Sequence, residues 1–220
     1  MPYDFDTIAR TYDRLNRVIS LGLDRRWRRR AVRGLQGNVL DVACGTGDMM
    51  VELMRHGCIV TGVDLSEEML AIAKQKIASA DFQFSTVDFQ LGNAEALPFA
   101  DGAFDAVTCA FGVRNFVHLE QGMSEMLRVL RPGGCMVILE LATPDNKFVR
   151  PFYNFYTKRV IPWLGKSIAG NREAYTYLPE SIARFPKGEA FAKIVETLGG
   201  KTTEHKFTFG VCRHYVVKKS

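Results

Sequence analysis

The sequence predicts an α/β protein, a doubly wound and mostly parallel sheet of seven strands with helices on both faces. Three observations predict it. An apolar run at 39–42 feeds a loop with two glycines and then the helical stretch Met49-Met50-Val51-Glu52-Leu53-Met54-Arg55, the unit that opens such sheets. Strands and helices then alternate as far as residue 141 with no linker between them, as a parallel sheet requires. Two strand-like segments around Gly210, at 202–209 and 211–217, close the chain as an antiparallel hairpin.

Residues 3–34 read as helical, with Ile8, Tyr12, Leu15 and Ile19 at spacings of three and four. Ser20-Leu21-Gly22-Leu23-Asp24 breaks this segment, and Asp24 is placed to cap a second helix through Arg33. Residues 1–36 thus form a leading helical segment, positioned to cover a cofactor or frame a substrate.

The loop that follows runs Asp41-Val42-Ala43-Cys44-Gly45-Thr46-Gly47-Asp48. Its glycines let backbone N–H groups approach a ligand, and the helix N-terminus behind them is partly positive. A second strand at 58–63 ends on Asp64, where a carboxylate can accept hydrogen bonds from both hydroxyls of a ribose. The spacing is not Gly-x-Gly-x-x-Gly, which argues against a nicotinamide dinucleotide. Ser66 can cap a helix at 67–77, and a third strand within 82–91 ends at Gly92-Asn93-Ala94-Glu95. The turn-rich stretch 97–105 leads to a fourth strand at 106–110. A helix at 121–130 is stopped by Arg131-Pro132-Gly133-Gly134, and 135–141 is the fifth strand.

Residues 142–190 depart from this rhythm and are dense in aromatics, among them Phe148, Phe152, Tyr153, Tyr156, Trp163 and Tyr177. They can form an apolar cap over a substrate pocket, with Ser181 and Arg184 nearby, or simply fill core between helices. The helix at 189–198 and the hairpin complete the region 191–220. The organisation is one domain over 1–220, with the cofactor core at 37–141 and the cap at 142–190.

Composition narrows the class. A chain of 220 residues, 47% hydrophobic with charges of both signs, is that of a globular protein with a sizeable core. No apolar run is long enough to span a bilayer, and the polar start shows no secretory signal. Five scattered cysteines without a Cys-x-x-Cys pair argue against zinc and against a disulfide framework, so no metal is expected and the expected location is the cytoplasm. The net charge of +5 includes one dense run, Arg25-Arg26-Trp27-Arg28-Arg29-Arg30. Such a run can meet lipid phosphates or be the solvated face of a helix. Nucleic acid is not an expected partner, because no basic groove or aromatic-rich strand follows.

The loop resembles motif I of class I S-adenosylmethionine-dependent methyltransferases, with Ala43 where the general pattern prefers glycine. A narrower resemblance covers nearly the whole chain. The runs Phe5-Asp6-x-Ile8-Ala9-x-x-Tyr12-Asp13, Ser20-Leu21-Gly22-Leu23-Asp24-x-x-Trp27-Arg28, Phe111-Gly112-Val113-Arg114-Asn115 and Tyr175-x-Tyr177-Leu178-Pro179 are similar to the UbiE/MenG/Coq5 family of quinone-biosynthesis C-methyltransferases.

That resemblance implies a Rossmann-like class I fold, S-adenosylmethionine as cofactor, and methyl transfer to a ring carbon of a prenylated quinol. Demethylmenaquinol is the first candidate and the methoxy-benzoquinol precursor of ubiquinone the second. Asp41, Gly45, Thr46, Gly47, Asp64, Asn93 and Ala94 would hold the cofactor, with Thr46 beside its methionine part. Arg114 and Asn115 would be catalytic, Arg114 steadying a quinolate oxygen unless it is only a structural ion pair. Tyr153, Tyr156, Tyr177 and Ser181 would line the substrate pocket. His118 and the cap tyrosines compete for the role of base, which stays unassigned. A lipid-tailed substrate implies transient contact with the inner face of the cell membrane, and a homodimer is compatible with the sequence. The rival readings are a class I methyltransferase for another small apolar molecule and a non-catalytic cofactor-binding scaffold.

Overall fold

The computed structural model describes residues 9–80, 86–161 and 173–219. Phe5, Asp6, Ile8, Phe82 and Trp163 lie outside the described residues, as do the side chains of Leu15 and Tyr175. Seven strands form one sheet: β1 Asn38–Val42, β2 Ile59–Asp64, β3 Val87–Leu91, β4 Phe104–Ala110, β5 Leu130–Leu141, β6 Gly200–Phe207 and β7 Cys212–Lys219. Their order is β3-β2-β1-β4-β5-β7-β6, with β1 to β5 parallel and β7 antiparallel to both neighbours. Among the described residues the α-helices are α1 Ala9–Ile19, α2 Leu23–Ala31, α3 Asp48–Arg55, α4 Glu67–Ala78, α5 Leu119–Val129, α6 Val149–Phe155, α7 Glu173–Arg184 and α8 Glu189–Thr197.

The central strands read as continuous apolar runs because both their faces are covered. Side chains alternate between the two cores. Leu40, Val107, Met136 and Ile138 pack on the face that holds α5 and α8, while Val39, Ala106, Val137 and Leu139 pack on the face that holds α2 and α3. Consecutive connections run from β1 outwards through β2 to β3 and from β4 outwards to β5. The strand order therefore reverses between β1 and β4, and a crevice opens beyond their carboxyl ends.

Two local expectations need correction. Asp24 is not the cap of α2; Gly22, with φ of 74°, occupies that position because the turn needs a left-handed residue. Asp24 lies in the first turn, where it accepts from Ser20 Oγ at 2.7 Å and pairs with Arg28 at 2.6 Å. The basic run is not one solvated face either. Trp27 and Arg28 are buried, and Trp27 donates to Thr208 Oγ1 at 3.0 Å across 181 positions of chain. Ser66 does cap α4, accepting from the backbone N–H of Met69 at 3.0 Å.

Candidate active site

The loop after β1 places Ala43, Gly45 and Gly47 at φ of 52°, 54° and 81°. This left-handed sequence curls the backbone tightly, and it explains why glycine is favoured where Ala43 stands. Ala43 is accommodated because Gly112 faces it. A Cβ on Gly112 would lie 2.8 Å from that of Ala43.

Asp64, at the end of β2, is held by two backbone donors: Gly45 N reaches Oδ2 at 2.8 Å and Ser66 N reaches Oδ1 at 3.0 Å. Asn93 Oδ1 accepts from Glu95 N at 2.9 Å, fixing the turn after β3. Glu95 ties that turn to the loop after β4, accepting from Val117 N at 2.6 Å and pairing with His118 Nδ1 at 2.8 Å. His118 is thereby tied to that turn, with its side chain 67% accessible.

Gly45, Asp64, Asn93, Ala94 and Asn115 converge on one cavity of about 120 Å³, together with Tyr12 of α1. A small annex of about 20 Å³ shares Tyr12, Ala43 and Gly45 with it and adds Arg28, Asp41 and Thr46. Arg28 Nε and Asp41 Oδ2 are buried there without a hydrogen-bond partner among the described residues. Burial raises the Asp41 carboxyl to about 7, against the lowering effect of the Thr108 hydroxyl 2.7 Å away and of Arg28. Thr46 lines only the annex. Its hydroxyl donates to Asp13 and accepts from Lys76 Nζ at 3.2 Å, so it fastens α1 to the loop. Gly47 lines neither space; it is the N-cap of α3, pressed against Ala73 of α4.

A second cavity, of about 300 Å³ and mostly apolar, lies between the α1–α2 turn and the cap helices. Arg114, Tyr153 and Tyr156 line it, and Phe111 borders both it and the first cavity. Phe111 sits at φ of 62°. A bulky residue in that conformation is strained, a cost that persists where surrounding structure dictates it, commonly at functional sites.

Arg114 Nη1 donates to Glu140 Oε1 at 2.6 Å and to the Phe111 carbonyl at 2.5 Å. Burial opposes the charge on Arg114, but Glu140, Tyr12 and Tyr177 outweigh it and hold the guanidinium protonated. Asn115 Oδ1 accepts from the Tyr177 hydroxyl at 2.8 Å. Tyr177 thus buttresses Asn115 and is not among the residues lining the apolar cavity. Ser181 is not one either; its hydroxyl is turned back onto the Leu178 carbonyl at 2.9 Å, the habit of a helical serine. Tyr156 lines the cavity and donates to the Ile19 carbonyl at 3.1 Å, joining the cap to α1. Burial pushes the Tyr153 hydroxyl up to about 12 and raises Tyr156 and Tyr177, so none is poised as a base at neutral pH.

Among the described residues no group of three or more His, Cys, Asp or Glu could hold a metal ion. The buried thiols of Cys44 and Cys109 are raised well above their usual range by burial, which makes them poor nucleophiles.

A family model for the ubiE/COQ5 methyltransferases matches residues 3–219. The chain belongs to that family. Among curated relatives, the ubiquinone/menaquinone biosynthesis C-methyltransferase UbiE of Geobacter sulfurreducens is 44% identical over 98% of this chain and 86% of its own length. The demethylmenaquinone methyltransferase of Bacteroides fragilis is 41% identical over 98% of this chain and 90% of its own. Solved structures agree on the fold. A SAM-dependent methyltransferase from Aquifex aeolicus superposes with a TM-score of 0.69 at 17% identity, over 98% of both chains. The cofactor of this ubiE/COQ5 family member is S-adenosylmethionine, and its fold is the class I, Rossmann-like one.

The residues present fit that cofactor. Asp64, Asn93 and Ala94 line the larger cavity, and the annex carries one orphaned cationic and one orphaned acidic atom, the complement of an amino-acid zwitterion. Arg28 and Phe111 were not foreseen from sequence as site residues. Arg28 is hidden in a run of arginines that are otherwise exposed, and nothing local marks Phe111 as a partition.

Proposed function

We propose that this chain transfers the methyl group of S-adenosylmethionine to a ring carbon of a prenylated quinol, demethylmenaquinol foremost. The methoxy-benzoquinol precursor of ubiquinone is the second candidate. One observation carries the reading: an apolar cavity of about 300 Å³, with Arg114 in its wall, shares Phe111 with the cofactor cavity, the one lining residue common to both among those described. The apolar space suits an aromatic head and the first part of a prenyl tail, and the cation suits an ionised ring hydroxyl.

S-adenosylmethionine, when bound, supplies an electrophilic methyl on its sulfonium, which a nucleophilic ring carbon takes in line. The chain contributes alignment, charge and exclusion of water. Arg114 stabilises the quinolate oxygen, which raises the nucleophilicity of the neighbouring ring carbon. Asn115, steadied by Tyr177 and by the Phe111 carbonyl, orients the hydroxyl or a water that carries its proton away; after transfer the hydrogen on the methylated carbon leaves as a proton and the ring oxygen is reprotonated, which restores the aromatic quinol. Asp64 holds the ribose and Asn93 with Ala94 the adenine. Arg28 and Asp41 take the carboxylate and ammonium of the methionine part.

The last assignment has a specific consequence. Arg28→Leu should weaken binding of S-adenosylhomocysteine by about tenfold to a hundredfold, the worth of a lost charged hydrogen bond. It should leave 5′-methylthioadenosine, which lacks the amino-acid end, unchanged. Calorimetric titration checks this, and an equal loss for both ligands would refute the assignment. For the reaction as a whole, the test is product analysis under reduction. Reduced demethylmenaquinol should accept the methyl group and the oxidised quinone should not, because only the quinol ring is electron-rich.

Transient contact with the cell membrane belongs to the same reading, since a prenylated quinol resides in lipid. It is supported by the exposed side chains of Arg25, Arg26, Arg29 and Arg30. No helix among the described residues is long and apolar enough to cross a membrane.

A further inference from the structure

Five large apolar side chains from three separate elements stand in solvent around the second cavity. Phe148, Phe152 and Phe155 are 85%, 78% and 65% exposed, Leu21 is 73% exposed and Phe209 76%. The three phenylalanines recur at spacings of four and three and so share one face of α6, a helix that buries none of its residues. Asn146 Oδ1 caps that helix, accepting from Phe148 N at 2.8 Å and Val149 N at 3.3 Å, so the rings stand on an anchored element. Leu21 and Phe209 occupy the tips of two turns at φ of 53° and 56°. Polar or glycine residues suit such tips better, so bulky apolar ones there call for an explanation.

The rim is continuous with the cavity. Leu21 and Phe152 line it, and so do Val149 and Thr208, the chain neighbours of Phe148 and Phe209. The surroundings are cationic. Between residues 142 and 161 the exposed Lys147, Arg150, Lys158 and Arg159 face one acid, Asp145. Asp145 is itself engaged by Lys187 at 3.0 Å, Lys206 at 3.1 Å and Arg213 at 2.6 Å.

We propose that this rim is a bilayer-docking face that takes an anionic phospholipid surface, with the apolar cavity opening directly into the lipid. Exposed apolar patches of this kind mark interaction sites, and an apolar helix face flanked by Lys and Arg fits an interfacial, anionic membrane. A second copy seated on the rim would shut the mouth of the cavity, whereas a bilayer leaves the tail of a lipid substrate in place while its head enters. That last point rests on the prenylated-quinol reading; the docking face itself does not.

The test is cosedimentation with vesicles of phosphatidylcholine, alone or with phosphatidylglycerol, on the wild type and on Phe148→Ser/Phe155→Ser/Phe209→Asn. None of the three lines either cavity. The wild type should bind, more tightly to the anionic vesicles and less so in high salt. The triple variant should lose about tenfold or more in partitioning while keeping its S-adenosylhomocysteine affinity and its turnover of a quinol with a truncated, water-soluble tail. Absence of wild-type binding, or equal binding by the variant, would overturn the proposal. So would a wild-type dimer that the variant dissociates without change in vesicle binding. If binding depends on the rim but the wild type methylates neither long-tailed nor short-tailed quinol, the docking face stands and the substrate reading falls.

Discussion

Replacing Arg114 with methionine is expected to lower methyl transfer by about 10²–10³-fold, the scale of losing one preorganised charge at a reacting oxygen. The same change should destabilise the fold by about 3–5 kcal/mol, because it leaves the fully buried Glu140 carboxylate without its partner 2.6 Å away. These two effects separate. In the double variant Arg114→Met/Glu140→Gln the uncompensated charge is gone, and a glutamine oxygen still accepts the Leu141 N–H that Glu140 accepts at 2.8 Å. Thermal unfolding should show most of the stability regained, while turnover stays near that of the single variant. If turnover returns with stability, Arg114 is a structural member of an ion pair and the quinolate is stabilised by something else.

Asp64→Ala should weaken S-adenosylhomocysteine binding by about a hundredfold or more. Two hydroxyl donors of the ribose lose a charged acceptor, each worth about 1.5–3 kcal/mol. The Gly45 and Ser66 N–H groups lose theirs as well, so the glycine loop loosens. Calorimetry distinguishes this from the effect at Arg28. The loss at Asp64 should extend to 5′-methylthioadenosine, which keeps the ribose, whereas that at Arg28 should not. A variant that spares methylthioadenosine would place the ribose elsewhere.

Much of this site is legible in the sequence because its chemistry is local. The glycine loop, the carboxylate that ends β2 and the turn after β3 are each encoded within a few residues, and backbone geometry brings Gly45, Asp64, Asn93 and Ala94 to one cavity. Ser66 capped its helix as expected for the same reason. What sequence does not reveal is pairing across long stretches of chain. Arg28 reads as one more surface arginine, yet it is buried between Asp24, Asp48 and the Phe111 ring. Glu140 reads as a charge at a strand end, yet it anchors Arg114 across 26 positions. The aromatics of 142–190 carry no label separating lining from buttress or rim. Tyr153 lines the cavity, Tyr177 braces Asn115, and Phe148 stands in solvent. Ser181 illustrates the limit from the other side, since a polar residue beside aromatic rings turned out to satisfy only its own helix.

The most direct measurement is transfer of label from methyl-labelled S-adenosylmethionine to demethylmenaquinol and, in parallel, to the methoxy-benzoquinol precursor of ubiquinone, both held reduced. The account predicts label on a ring carbon of the naphthoquinol; label in the benzoquinol as well would show that the cavity accepts both head groups. Absence of label from both, in a protein that still binds S-adenosylhomocysteine, would contradict the account.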